Sequence, residues 1–188
     1  MSTQPSIFSR LRASPESSEW ETFCDRYSPV VFSVAVAHGL AEPDARDTVQ
    51  EVLLRLYKNM EQFRYDPARG RFRNYLYTIT LNVVRAQLAD RARRAAPLDP
   101  AHLYAVHNPK EIWEREWRAN ELRTGLQDVA DEIEPKTFQA FQLFVLEEWP
   151  TEKVARFLGL SRQSVYQAKS RVIRKLRAHL TDTEDDDG

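Results

Sequence analysis

The stretch Thr151–Arg177, TEKVARFLGLSRQSVYQAKSRVIRKLR, constrains the chain more than any other. Val154, Ala155 and Leu158 recur at the spacing of one helix face. Gly159 follows at once, and glycine ends a helix in the left-handed conformation at little cost. Leu160 can plug the corner, and Ser161 is suited to cap a second helix. On that helix Val165, Ala168, Val172 and Leu176 form one apolar stripe. Its other faces carry Arg162, Gln163, Ser164, Tyr166, Gln167, Lys169, Arg171, Arg174 and Lys175. Small, turn and buried positions fall where a helix-turn-helix needs them, a unit whose second helix enters the major groove of DNA. An ordinary basic helical hairpin is the competing reading. Spacing, turn glycine, cap residue and charge all agree on the first.

Around this unit the chain reads as all-α: long periodic runs, and only 5 glycines in 188 residues. Cys24 is the one cysteine, which excludes a disulfide framework within the chain, and its place on an apolar stripe makes it a core residue. No apolar run approaches a membrane span, and the opening residues MSTQPSIFSRLRASPESS lack the apolar centre of a signal peptide, so a cytoplasmic protein is expected. His38, His102, His107 and His179 are scattered without paired metal spacing. With no phosphate-cradling glycine loop and no nucleophile constellation, neither enzyme chemistry nor a cofactor is expected. The net charge of -1 hides an asymmetry: bases dominate Arg64–Arg94 and Thr151–Leu180, while acids collect in Asp128–Glu134 and in the tail. Two basic blocks suggest two nucleic-acid contacts separated in sequence.

In chain order, residues 1–15 are small and polar and read as disordered. An amphipathic helix from Ser17 to His38 carries Trp20, Phe23, Tyr27, Val31 and Val34, with a kink or break expected at Pro29. A second helix, from about Pro43 to Met60, buries Ala45, Val49, Val52, Leu53, Leu56, Tyr57 and Met60. The arginine- and aromatic-rich loop Phe63–Phe72 precedes a helix from about Arg73 to Arg94 that ends in a cationic cluster. Cations for phosphates and flat rings for unstacked bases are what a single strand of nucleic acid needs, although a core aromatic set with solvated arginines reads equally well. Residues 95–118, rich in proline at the outset, read as a flexible linker. Before its end a helical pattern resumes at Ile112, Trp113 and Trp117 and carries on through Leu122, Leu126, Val129 and Ile133, and Pro135 breaks it. A further helix with Phe138, Phe141, Phe144, Val145 and Trp149 lies beneath the helix-turn-helix, and residues 181–188 form an acidic tail expected to be disordered. The expectation is two small helical domains, 16–94 and 119–180, joined by that linker.

The order of parts resembles an RNA polymerase sigma factor of the extracytoplasmic-function (ECF) type, in the sigma-70 family. Asp44-Ala-Arg-Asp-Thr-Val-Gln-Glu-Val-Leu-Leu-Arg-Leu is similar to that family's core-binding helix, written DAEDLVQEVFLRL. Phe72-Arg-Asn-Tyr-Leu-Tyr-Thr-Ile-Thr-Leu-Asn82 is similar to its promoter-melting helix, FRAWLYRIARN. Val154-Ala-Arg-Phe-Leu-Gly-Leu-Ser161, with Val165, Ser170-Arg171 and Leu176, is similar to its −35-reading motif. The chain departs from the pattern at Tyr75, Thr78 and Arg46, which stand where tryptophan, arginine and an acid are usual.

The resemblance implies a sigma-2 domain over 16–94 and a sigma-4 domain over 119–180. It implies docking on the polymerase core, at the β′ clamp helices and the β flap, with Asp47, Gln50, Glu51 and Arg55 meeting the clamp. It implies capture of an unstacked −10 base by Tyr65, Asp66, Arg71, Phe72 and Asn82, with Arg85, Arg91, Arg93 and Arg94 on phosphates. Arg162, Gln163, Ser164 and Gln167 would read the −35 duplex, where arginine matches guanine and glutamine matches adenine. Lys169, Arg171 and Arg174 would position that domain on phosphates. Control would fall to an anti-sigma factor or to a Ser/Thr kinase. For the second, Thr48 is a candidate target, since phosphate there would restore negative charge beside Asp44, Asp47 and Glu51; an ordinary helix threonine, half buried next to Val49 and out of a kinase's reach, is the competing reading. A stand-alone helix-turn-helix regulator, binding DNA without polymerase, is the alternative from another class.

Overall fold

A computed structural model describes residues 18–60, 72–94 and 108–186, all of whose regular structure is helical. The chain divides into two compact units, the second formed by Glu121–Asp185.

In the first unit, α1 (Ser18–Ala37), α2 (Glu42–Met60) and α3 (Phe72–Arg94) pack around one aromatic-rich core. Helix α1 runs through Pro29 as one helix, so of the kink or break expected there the break does not occur. It buries Phe23, Tyr27, Val30, Val31 and Val34 against Val52 and Leu56 of α2 and Phe72, Leu76, Ile79 and Val83 of α3. A second cluster, Ala35, Leu40, Ala45 and Val84, closes the other side of α3. Helix α3 is therefore covered on two sides, which explains the nearly unbroken buried run from Ile79 to Val84, Thr80 included and Asn82 alone excepted.

The segment read as a linker is in part a helix. Residues 95–107 lie outside the described residues, but α4 (Pro109–Glu132) begins well before the expected boundary. Its first half packs with the first unit. Trp113 and Trp117 sit in the main core, and Asn120 Nδ2 donates to the Arg26 carbonyl at 2.9 Å. The helical spacing of Ile112, Trp113 and Trp117 marks this start in the sequence, but the domain division gave the stretch to the linker instead of to the first unit's core.

In the second unit, the rest of α4 meets α5 (Pro135–Phe141), a π-helical turn at Gln142–Leu146, α6 (Thr151–Leu158) and α7 (Arg162–Asp186). Val129, Ile133, Phe141 and Val172 form one cluster, and Ala140, Val154, Ala155, Val165 and Ala168 form another. Gly125 allows α4 to lie close to α7, because a Cβ there would come within 2.9 Å of Leu176 Cδ1. Helix α7 continues to Asp186, so most of the acidic tail has a helical backbone where disorder was expected. The expected end at residues 1–15 lies outside the described residues. No helix among the described residues is long and apolar enough to cross a membrane.

Candidate nucleic-acid and polymerase interfaces

The turn of the helix-turn-helix forms as the sequence requires. Gly159 takes φ 62° and ψ 43°, in the left-handed region, and the Leu160 N–H donates to the Ala155 carbonyl at 2.8 Å. Ser161 Oγ accepts the Ser164 N–H at 3.0 Å, capping α7. Val165, Ala168 and Val172 are buried, which fixes the rotation of α7 and turns its other side outward. Arg162, Gln163, Gln167, Arg171 and Arg174 all line one open groove on that side. Arg162 is paired with Glu152 at 2.5 Å, yet its side chain remains 66% exposed.

Two expected members leave the face. Ser164 is only half exposed, and its hydroxyl lies 2.8 Å from the capping Ser161 Oγ. Lys169 turns toward Phe144, its Nζ 5.6 Å from the ring centroid. Two residues that sequence reasoning left out take central places: Tyr166 and Ser170 line the same groove. Tyr166 is held by its own neighbours, edge-on to Phe144 and with its hydroxyl 3.3 Å from Thr151 Oγ1. Their positions three or four residues from Gln163, Gln167 and Arg174 were the available signal.

On α2, Asp47, Gln50 and Arg55 are exposed, and Glu51 pairs with Arg55 at 2.7 Å. Leu54 and Tyr57 stand out on the same helix at 45% and 43% exposure, although Tyr57 was assigned to the buried side. The surface offered to a partner is thus part apolar. Arg46 pairs with Glu42 at 3.0 Å, both exposed. Thr48 is a correction. It is fully buried, its Oγ1 lies 2.9 Å from the Asp44 carbonyl and 2.9 Å from Gln87 Oε1, and no kinase could reach it in the folded chain. The single hydroxyl proton cannot serve both acceptors, so the Gln87 amide must donate to Thr48 or share its proton.

On α3, Asn74, Thr78, Asn82 and Arg85 form one exposed ridge at spacings of four, four and three. Arg91 is exposed and reaches the Gly39 carbonyl at 3.4 Å, while Arg93 pairs with Asp90 at 2.5 Å. Arg94 lies in the last turn of α3. Tyr65, Asp66 and Arg71 fall outside the described residues. Phe72 is the second correction. It is 2% exposed, 5.1 Å from the Tyr27 ring centre and 5.8 Å from that of Phe23, and so is spent on the core instead of on a base. An aromatic residue at the start of a helix serves core and site equally well in sequence, and only packing separates them. Cys24 is partly buried, and its thiol is pushed up from the ordinary value, first by burial and then by Asp25 and Glu21. That makes it a poor nucleophile at neutral pH.

Residues 23–94, nearly the whole of α1 to α3, match sigma-70 region 2. That match covers the first unit's three helices and leaves the rest of the chain unmatched. A related protein is the ECF RNA polymerase sigma factor SigE of Mycolicibacterium smegmatis, 26% identical over 165 residues. That match covers 86% of this chain, which spans only 61% of the length of that curated relative. Two solved structures also match: an RsbN–BldN complex, at 18% identity, 92% and 97% coverage of the two chains and TM-score 0.36, and the sigma factor RpoE in complex with the anti-sigma factor NepR from Bartonella quintana, at 16% identity, 88% and 98% coverage and TM-score 0.34.

The matched region holds both the α2 surface and the α3 ridge. The first half of α4 and the helix-turn-helix lie beyond the matched residues.

Proposed function

We propose that the chain is an ECF-type sigma factor. It binds the core RNA polymerase, reads −35 and −10 promoter elements, and promotes strand opening, with no chemistry of its own. The observation that carries this reading is the match to sigma-70 region 2 over a compact unit with two separate exposed polar faces, followed by a helix-turn-helix unit. In this reading residues 16–94 serve as sigma-2, extended by the first half of α4, and 119–180 as sigma-4.

Asp47, Gln50, Glu51 and Arg55 would meet the β′ clamp, with Leu54 and Tyr57 supplying the apolar area that charged groups alone lack. The sigma-4 unit would meet the β flap. Asn82 and Arg85 would engage the −10 single strand, joined by Tyr65, Asp66, Arg71, Arg91, Arg93 and Arg94. Unstacking a base costs a few kcal/mol, offset by stacking and edge hydrogen bonds. In the major groove Arg162, Gln163 and Gln167 would read base edges while Arg171 and Arg174 hold phosphates. Such a factor acts where the polymerase is, in the cytoplasm, and an anti-sigma factor is the expected kind of regulator.

The test is transcription by the purified chain with core polymerase on genomic DNA, with start sites mapped. Defined starts sharing −35 and −10 elements are expected, and Glu51→Lys should lower core capture in a pull-down while leaving the circular dichroism unchanged. Tight, specific binding of promoter fragments as a dimer, with no core association, would replace this reading with the stand-alone regulator.

A further inference from the structure

Arg73 stands at the head of α3, the helix that carries Asn82 and Arg85, and it is already occupied. Its Nη2 lies 2.5 Å from Glu114 Oε2, and the guanidinium sits over the Trp117 indole, 5.1 Å from the ring centroid. Both partners come from the first half of α4, the segment that sequence reasoning took for a linker. The contact is not sealed, since the Arg73 and Glu114 side chains keep 24% and 36% exposure. Nor is it complete. Arg73 Nε and Trp117 Nε1 are buried N–H donors with no acceptor. An unmet buried donor costs stability, and a ligand that brings an acceptor to it recovers part of that cost.

The two groups on Arg73 have the chemistry of a nucleotide. A carboxylate at the edge of a guanidinium stands where a phosphate would bind, and a ring on its face stands where a base would stack. Glu114 reaches Nη2 and leaves Nε, on the same edge, unmet. A phosphate approaching freely can take both in a two-point contact, whereas a carboxylate fixed to a helix is limited to what its backbone allows. We propose that Arg73 is a further phosphate ligand for single-stranded DNA along α3, held in the free protein by Glu114 as an intramolecular competitor that the strand displaces, while the guanidinium keeps its seat on the buried Trp117 ring. This rests on the sigma-factor reading in taking α3 as the strand-binding helix.

The test is fluorescence anisotropy of a labelled oligothymidine with the full chain, without polymerase, across a salt series. Glu114→Gln should bind about three- to tenfold more tightly than wild type, as expected if the open state is a minor population. Glu114→Ala should behave alike. Arg73→Gln should bind more weakly, with a salt slope shallower by about 0.7, the value for one phosphate on a single strand. The double variant should match Arg73→Gln, because the competitor acts only through that arginine. Unchanged binding by both Glu114 variants, or a gain that survives in the double variant, would overturn the proposal. Thermal melts check that each variant is folded, and Arg73→Lys provides a second probe that leaves Glu114 in place: it should keep the salt slope and lose affinity. Core capture by the wild type is measured separately. Its absence refutes the sigma-factor reading, whereas intact capture with unchanged oligonucleotide binding refutes only the competitor.

Discussion

In the proposed function helices α3 and α7 each offer a face to nucleic acid, and they are held in different ways. Helix α7 is anchored along one buried stripe, Val165, Ala168 and Val172, and presents a broad outer face from Arg162 to Arg174. Helix α3 is wedged on two sides and presents only the ridge from Asn74 to Arg85. A helix pinned on one side can change its outer residues freely, so its specificity is tunable one side chain at a time. A helix pinned on two sides is rigid and narrow, and whatever it binds must be completed by neighbouring segments. That asymmetry suits a duplex, read by many edges in a groove, and a single strand, gripped at a few points.

The sharpest way to break this comparison is to truncate one aromatic residue on each helix. Phe72→Ala on α3 should cost about 3–5 kcal/mol of stability, the usual range for emptying a buried ring site. Tyr166→Ala on α7, 53% exposed, should cost much less. Urea unfolding followed by far-ultraviolet circular dichroism measures both. If Phe72→Ala melts like wild type, the ring is not a core element and the base-pocket role returns.

A smaller effect separates two roles within the broad face of α7. Gln163→Ala should lose roughly 1–3 kcal/mol of discrimination at one base position and leave the others alone. Arg174→Ala should weaken all sequences equally and flatten the salt dependence by about 0.9 for one lost duplex phosphate. Selection from a randomised −35 pool, with both variants in holoenzyme, gives the profiles. Matching profiles would mean that α7 does not divide reading from positioning.

The same asymmetry decided what could be read from the sequence. The α7 face was nearly all legible, because a one-sided stripe leaves a clean period and Gly159 and Ser161 mark the start. What was missed there, Tyr166, reads as a generic polar-face residue until Phe144 and Thr151 are seen to fix it. On α3 the period is blurred by double burial, so Phe72 could be assigned to a site it does not serve. Thr48 shows the same limit on α2: between Asp47 and Val49 it reads as surface or as buried, and only its contact with Gln87, 39 positions away, decides. Long-range partners of that kind have no local signature. The tryptophans of α4 carried a helical spacing, but nothing local assigned them to the core of the first unit.

The smallest predicted effect concerns how α7 is secured beyond its core stripe. Glu132 of α4 accepts a hydrogen bond from Lys175 and lies 3.0 Å from His179 Nε2. The Lys175 hydrogen bond holds the Glu132 carboxyl below the ordinary value of 4.5; burial opposes this, and the charges of Lys175 and His179 add to it. A carboxyl lowered in the folded state is deprotonated there more readily than in the unfolded chain. Its stabilisation is therefore fully present above the unfolded value near 4.5 and fades as pH falls through the lower folded value. Both side chains are well exposed, so solvent screening keeps the effect modest and sensitive to salt. Thermal melts of wild type and Glu132→Gln should differ slightly at neutral pH, with the wild type higher. The gap should close in acid below the ordinary glutamate range, and it should also narrow in high salt at neutral pH. Helix α3, secured by rings and aliphatic groups instead, should show no such closing for Ile79→Val, whose cost stays constant with pH. A Glu132→Gln gap that persists unchanged into acid would show that α7 is held by its apolar stripe alone, and the two helices would then differ only in how many sides are buried.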